Sequence, residues 1–455
     1  TLGCQASLPD PALPLARTPD AAFRRQAPER LEGAAPVRLP PVRTERLENG
    51  LLVVVATRPN SPSTHVELVV RGAGIATSEG SGVAVATVFA LAEAPEATFS
   101  ADVNEQAAYL GIDTDAAGLD AAVEEIANAA LRPNFDESVV NATRGHLAGR
   151  LARERERNLF YAKAYARLYA EPPVLLDAPE ASIYAITKIT LEKQYDRFYG
   201  PENAALIVAG PAPFEGVMSA AIKHFAGWKA GTRPAPKPPT GLPLLVPSIG
   251  PRPVIAVDAK QDMAYALLVL PGPPRGFPGF PEYMLADILL GSSLGSRGNV
   301  ALRLHDAKTY GVSASLERRR TGSELQVQFA VEQDDLVESL QRMLGEIERL
   351  RSEPVSTEEL EAAKIAWKAR LSSRLVTSSG TVALLREEFA VDADPSVLKA
   401  IVENVERTKP ADILAVARRE FTPDRMLVVV FASREKVEAA LRHVGPIGWQ
   451  DESSD

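Results

Sequence analysis

The pentapeptide Gly291-Ser292-Ser293-Leu294-Gly295 has the G-x-S-x-G spacing that can present a serine hydroxyl as an acyl-transfer nucleophile. That chemistry needs a strand before the turn, so that the serine stands on a sharp bend. The preceding Met284, Leu285, Ile288 and Leu289 recur instead at helical spacing. The motif therefore reads as a break in a helix, and Ser293 as non-catalytic. Five histidines, at positions 65, 146, 224, 305 and 443, are too far apart in sequence for any two to share a helical turn. His146 falls on a helical stretch from about Ser138 to Ala170, near Arg144 and Arg150, and reads as a surface or packing residue. Glu154 and Glu156 in the same stretch read as a solvated face with helical ion-pair spacings. One cysteine excludes an internal disulfide framework and any multi-cysteine zinc or iron–sulfur site. No P-loop is present, and no complete G-x-G-x-x-G follows a strand, so nucleotide chemistry has no support.

The chain that positions these residues has 455 of them, with 50 basic against 59 acidic side chains, a net charge of −9. This balance argues against a nucleic-acid binder, which carries a basic excess. Apolar residues at 45% and charged residues at 24% are the proportions of a soluble globular protein. The strongest apolar runs, Leu51 to Ala56 and Met426 to Ala432, are far shorter than the roughly 18 to 20 residues of a membrane span. Residues 1–42, rich in Pro, Ala and Arg, read as an irregular arm. Within it, Thr1-Leu2-Gly3-Cys4 resembles the end of a bacterial lipoprotein signal, in which the cysteine is lipidated after cleavage. The expectation is a lipid anchor at Cys4 tethering a periplasmic body to the cell envelope; the alternative is a chance Gly-Cys pair. Residues 232–253 are Pro-rich and read as a semi-rigid linker.

The linker divides the chain into halves that repeat one another. Tyr199-Gly200-Pro201 leads into the apolar run Ala204 to Gly210, and Phe421-Thr422-Pro423 leads into Met426 to Ala432. A helix and a tryptophan follow in each, Trp228 and Trp449. Pro133 and Pro354 stand at matching places, each between two helices. Before them, Leu119, Val123, Ile126 and Leu131 form one helical stripe, and Leu336, Leu340, Met343, Leu344, Ile347 and Leu350 a stronger one. Ser356 with Glu359 has the spacing of a capping box.

These segments resemble the pitrilysin/insulinase metallopeptidases, whose smaller members include mitochondrial processing peptidase and many bacterial proteins. The resemblance spans about Arg43 to Trp449. Glu45 to Val55 is similar to the family's first strand, and Gly72-Ala73-Gly74 through Glu79 to Gly82-Val83-Ala84 to the approach to its active-site helix. Asn104 to Tyr109, then Leu119 to Phe135, is similar to its strand, helix and Pro-Asn-Phe-like turn. The most specific match is Leu290 to Arg297, then Leu302-Arg303, then Tyr310-Gly311-Val312-Ser313. The family carries an Arg and a Tyr seven positions apart after a Gly/Ser-rich turn, as Arg303 and Tyr310 are here. The resemblance implies that this pair contacts the substrate backbone and the oxyanion formed at the zinc. Arg brings a fixed fork of donors and Tyr an O–H, both suited to charge developing on a carbonyl oxygen. The alternative is that Arg303 decorates a helix and Tyr310 packs in a strand.

The family binds zinc through an inverted H-x-x-E-H on a first-domain helix, plus a later Glu. The aligned residues here are Val85-Ala86-Thr87-Val88-Phe89, with Val85, Val88 and Phe89 in place of the two histidines and the glutamate. None offers a metal a lone pair or a water a base. A shifted alignment restores no histidine, because none lies between His65 and His146. The expectation is a chain with no metal, no cofactor and no peptidase activity by itself. Its expected architecture is α+β: two homologous domains, 43–231 and 254–449, each a mainly antiparallel sheet covered by helices, before a tail at 450–455. The implied role is a non-catalytic subunit of a heterodimer whose homologous partner holds zinc and cleaves unfolded peptides, with Arg303 and Tyr310 supplied by this chain. The other reading is a structural or peptide-binding protein of the same fold with no peptidase partner, in the manner of core subunits of respiratory complexes.

Overall fold

A computed structural model describes residues 36–75, 82–92, 100–150, 183–229, 254–259, 262–272, 279–319, 322–391 and 397–451. Cys4, Glu154, Glu156 and the Pro-rich stretch 232–253 lie outside the described residues. Pro36–Asp455 makes one compact unit. No helix among the described residues is long and apolar enough to cross a membrane.

In the first half, β1 (Val42–Arg46) and β2 (Leu52–Thr57) pair as an antiparallel hairpin. The single strand expected from Glu45 to Val55 is therefore broken. Gly50 takes the left-handed φ of 99° that glycine tolerates, and the Asn49 amide donates to the carbonyls of Phe225 (2.8 Å) and Trp228 (3.1 Å). Next come β3 (Thr64–Arg71), α1 (Val83–Ala92), β4 (Ser100–Val103), β5 (Ala107–Thr114) and α2 (Leu119–Leu131). A helix over residues 137–150 (α3), α4 (Lys188–Phe198), β6 (Ala204–Gly210) and α5 (Phe214–Phe225) complete this half. The second half runs β7 (Val254–Asp258), β8 (Met263–Gly272) and α6 (Phe280–Asp287), continued by π-helical turns at Ile288–Ser292 and Asn299–His305. It then runs β9 (Val312–Arg319), β10 (Gly322–Glu332), α7 (Leu336–Ser352), α8 (Thr357–Arg374), α9 (Ser378–Ala390) and α10 (Val397–Arg407). It ends with α11 (Pro410–Glu420), β11 (Leu427–Ala432), α12 (Arg434–Leu441) and β12 (Ile447–Asp451).

The repeat is explicit in the two six-stranded sheets, ordered β1-β2-β6-β3-β5-β4 and β12-β7-β11-β8-β10-β9. Five strands correspond one to one. β2 and β7 lie parallel to β6 and β11, and every other pairing among the five is antiparallel. The sixth strand differs: β1 precedes the first sheet and runs antiparallel, whereas β12 follows the second and runs parallel to β7. Pro201 and Pro423 each open a 3₁₀ turn into the fifth strand of the repeat. Trp228 packs in a bend after α5, but Trp449 lies in β12. The architecture is two α+β domains with mixed, mostly antiparallel sheets, as the alternation of strand and helix patterns implies.

Both predicted stripes are core. All six α7 residues of the stripe are buried, as are Leu119, Val123 and Ile126 of α2, while Leu131 is partly buried. Full burial of each such side chain is worth about 1.5–3 kcal/mol. Ser356 caps α8 by accepting the Glu359 N–H at 3.1 Å, but the capping box is only half made. The Glu359 carboxylate turns to Arg297 instead, at 2.6 and 3.0 Å. One feature joins the halves: α9 of the second half lies on the outer face of the first sheet, where Val382, Leu385 and Phe389 meet Val54, Val69, Tyr109 and Ile207. Arg58 locks its N-terminus, donating to the Val376 carbonyl and the Thr381 hydroxyl at 2.6 Å each.

Candidate functional site

α1 packs against β4, β5, α2 and α4, and eight of its ten residues are buried. Val85 and Val88 have no exposed surface. The one hydroxyl in the segment, Thr87, donates back to the Val83 carbonyl at 2.8 Å. Phe89 stacks on His146 from α3, with centroids 5.6 Å apart and planes at 16°. An imidazole offers metals a lone pair in its ring plane, and a face-to-face stack on phenyl directs none toward a shared ion. Zinc has no fit among these residues: at the positions that the resemblance aligns with the family's ligands and base, the side chains are hydrocarbon packed as core.

His65 is held elsewhere, buried with Glu67 beneath α9 in an ionic network that also takes in the exposed Asp113. Its Nδ1 lies 2.9 Å from Asp113, and its Nε2 3.6 Å from Glu67, which accepts from Arg386 at 2.7 Å. The Arg386 guanidinium also covers the Tyr109 ring at 4.4 Å. Burial pulls the His65 pKa down, but hydrogen bonds and charge from Glu67 and Asp113 outweigh it, and the net direction is up. Among the described residues, one group of His and carboxylates is compact enough for a cation: Asp120, Glu124 and His224, at the surface. Its Asp120 is already met by Lys223 at 2.8 Å and His224 at 3.0 Å.

The second half builds a different kind of surface. Ser293 follows α6 and a π turn rather than a strand, so it lacks the elbow a serine nucleophile needs. The glycines of this turn serve close packing. A Cβ on Gly291 would stand 2.7 Å from the Ala314 nitrogen, and one on Gly298 2.7 Å from the Leu290 carbonyl. Ser292 donates to Asp287 and to the Ala314 carbonyl (2.7 Å), and Asp287 also takes Arg370 at 2.8 Å. Burial raises the Asp287 pKa against the pull of Ser292 and Arg370.

Beyond the second π turn, Ala307 is the one non-glycine with positive φ (52°) among the described residues, and Lys308 ties the loop to Asp335 (3.2 Å) and Glu338 on α7. Arg303 is exposed on that π turn, its Nη1 4.0 Å from where a Cβ on Gly311 would stand. Tyr310 is 97% exposed and does not pack in a strand; β9 begins two residues later. The fold thus brings Arg303 beside the end of the Tyr310 loop and turns both outward. Val85, Val88 and Phe89 belong to the packing of the other half. Asn299, which holds this loop, carried no signal in sequence beyond the ordinary preference of Asn for turns.

Residues 185–366 match the family model described as the peptidase M16 inactive domain. The match begins after α1, so the absence of zinc ligands at 85–89 rests on the residues themselves. No curated protein matches the chain. Among solved structures, the chain is similar to a protease from Helicobacter pylori, at 18% identity and TM-score 0.77, over 87% of this chain and 100% of that one. It is similar to a peptidase M16 inactive domain from Pseudomonas fluorescens, at 17% identity and TM-score 0.74, over 86% and 98%. A chain of complex III2 from Candida albicans, with Inz-5 bound, aligns at 15% identity and TM-score 0.72, over 87% and 97%. At these identities the likeness is one of fold. The family model thus matches the middle of the chain, and along most of its length the chain shares its fold with a protease and with a peptidase M16 inactive domain.

Proposed function

We propose that this chain is a non-catalytic subunit that presents Arg303 and Tyr310 to a peptide held at the zinc site of a homologous partner. The observation that carries this reading is Tyr310: a 97% exposed residue on a loop anchored at both ends, whose last residue, Gly311, lies beside the exposed Arg303. Among the described residues, neither side chain makes a hydrogen bond or ion pair, so their donors are available to another molecule. The role of this chain is electrostatic. The guanidinium and the phenol O–H steady negative charge as it develops on the substrate carbonyl oxygen, while hydrolysis belongs to the partner.

Co-purification with a homologous zinc subunit, followed by a chelator-sensitive assay on unfolded peptides, tests it. Arg303→Ala and Tyr310→Phe are each expected to lower turnover on the order of 10²-fold without weakening assembly. Unchanged turnover in both removes the pair from the mechanism. The likeness to a chain of complex III2 supports a second reading, a scaffold subunit of a larger assembly with no peptidase partner. A stable native complex devoid of chelator-sensitive cleavage would favour it. The envelope location belongs to the same proposal, with Cys4 as the lipid site; mass spectrometry of the N-terminal peptide from cells reads the added acyl mass directly.

A further inference from the structure

Asn299 opens the second π turn and is 4% exposed. Its Nδ2 lies 2.7 Å from the Val312 carbonyl, 3.0 Å from that of Ser293, and 3.1 Å from both the Gly291 carbonyl and Ser296 Oγ. Its Oδ1 accepts the Val312 N–H at 2.9 Å. Two N–H bonds thus serve four acceptors, and the acceptor side of the amide is used as well. The carboxamide pairs with both backbone groups of Val312, as a residue on a neighbouring strand would. It thereby ties residue 299 to residue 312, and one side chain closes the segment at both ends. Arg303 and Tyr310 lie inside that closed segment. Interior bonds complete it: Asp306 N–H to the Ala301 carbonyl (3.2 Å), Lys308 N–H to that of Leu302 (2.9 Å), and Gly311 N–H to Thr309 Oγ1 (3.2 Å).

We propose that Asn299 is the positioning residue for the Arg303/Tyr310 pair. It touches no substrate; it holds the loop that does. Two exposed side chains have no packing of their own to fix them, so their placement depends on the backbone that carries them. A displacement of about 1 Å at a charge-stabilising contact is enough to cost on the order of 10²-fold in rate. This inference rests on the proposed role of the pair, and the experiment separates the two.

The test uses the assembled pair with its zinc subunit and compares Asn299→Ala, Arg303→Ala and the double variant. Should Asn299→Ala fold poorly, Asn299→Ser, uncharged and too short to span to both backbone groups of Val312, takes its place in the same comparisons. Asn299→Ala is expected to lower kcat at least tenfold with KM changed less than threefold. The double variant is expected to lose clearly less than the product of the two single losses, because both changes remove the Arg303 contact. Hydrogen exchange of this chain is expected to quicken at Val312 and across residues 300–311, with α7 and the rest of the second sheet unchanged. A multiplicative loss in the double variant overturns the proposal, since it shows general destabilisation. So does full activity of Asn299→Ala where Arg303→Ala is impaired, a result that leaves the pair's role standing. If Arg303→Ala and Tyr310→Phe are both fully active, the pair's role fails, and exchange at residues 300–312 still decides whether Asn299 holds the loop: protection unchanged from wild type overturns that as well.

Discussion

Between its second and third corresponding strands, each half of the molecule inserts a helical segment, and the two segments have opposite fates. In the first half the connection from β3 to β4 contains α1, whose Val85 and Val88 are wholly enclosed. In the second half the connection from β8 to β9 contains α6, two π turns and a loop that leaves Leu294, Leu304 and Tyr310 exposed. The strands around them match in order and direction. Shared topology therefore does not preserve chemistry. A hydrocarbon helix at the first position closes over and becomes core. At the second, Gly291 and Gly298 let the backbone close onto β9, and Asn299 replaces side-chain burial with hydrogen bonds, so the loop is ordered while its side chains face outward.

The comparison breaks most readily at Val88. Val88→Asp puts an unpaired carboxylate into a sealed site and is expected to cost about 3 kcal/mol or more, read by urea unfolding. Leu304→Asp, at the exposed segment, is expected to stay within about 0.5 kcal/mol. Equal tolerance of the two would show that α1 is not the closed core described. Next in size is the contact joining the halves. Arg386→Ala strands Glu67 under α9 and is expected to cost about 3 kcal/mol, with part recovered when Glu67→Gln is added. A loss within error of zero would mean that α9 does not seal the first sheet.

Ala307→Gly sharpens the picture of the outward loop. Removing Cβ at φ 52° is expected to stabilise the chain by up to about 1 kcal/mol, seen as a small rise in Tm. A fall in Tm would mean that the left-handed turn is absent in solution. The smallest effect is in pH. Because the folded His65 pKa is raised, its protonated form is favoured by folding. That contribution is fully present below an unfolded value of about 6.5 and is lost as pH rises through the higher folded value. Unfolding free energies measured from pH 5.5 to 9 should decline over this window in wild type and less so in His65→Gln.

Much of this was legible before any tertiary structure was considered. The repeat, the stripes on α2 and α7, the helix before Ser293 and the lack of metal donors at Val85, Val88 and Phe89 are properties of residue type and short-range period. Such properties survive in a linear string. The tertiary structure alone decided the rest. It turned Glu45 to Val55 into a hairpin, because Asn49 reaches carbonyls at Phe225 and Trp228. It drew Glu359 away from its capping box to Arg297, 62 positions away. It set α9 on the first sheet and joined Arg386 to Glu67 across 319 positions. It also turned Tyr310 outward and closed its loop through Asn299. No local period encodes such pairings, because they arise only when two separately folded surfaces meet and each buried polar group takes the partner that the packing brings within reach.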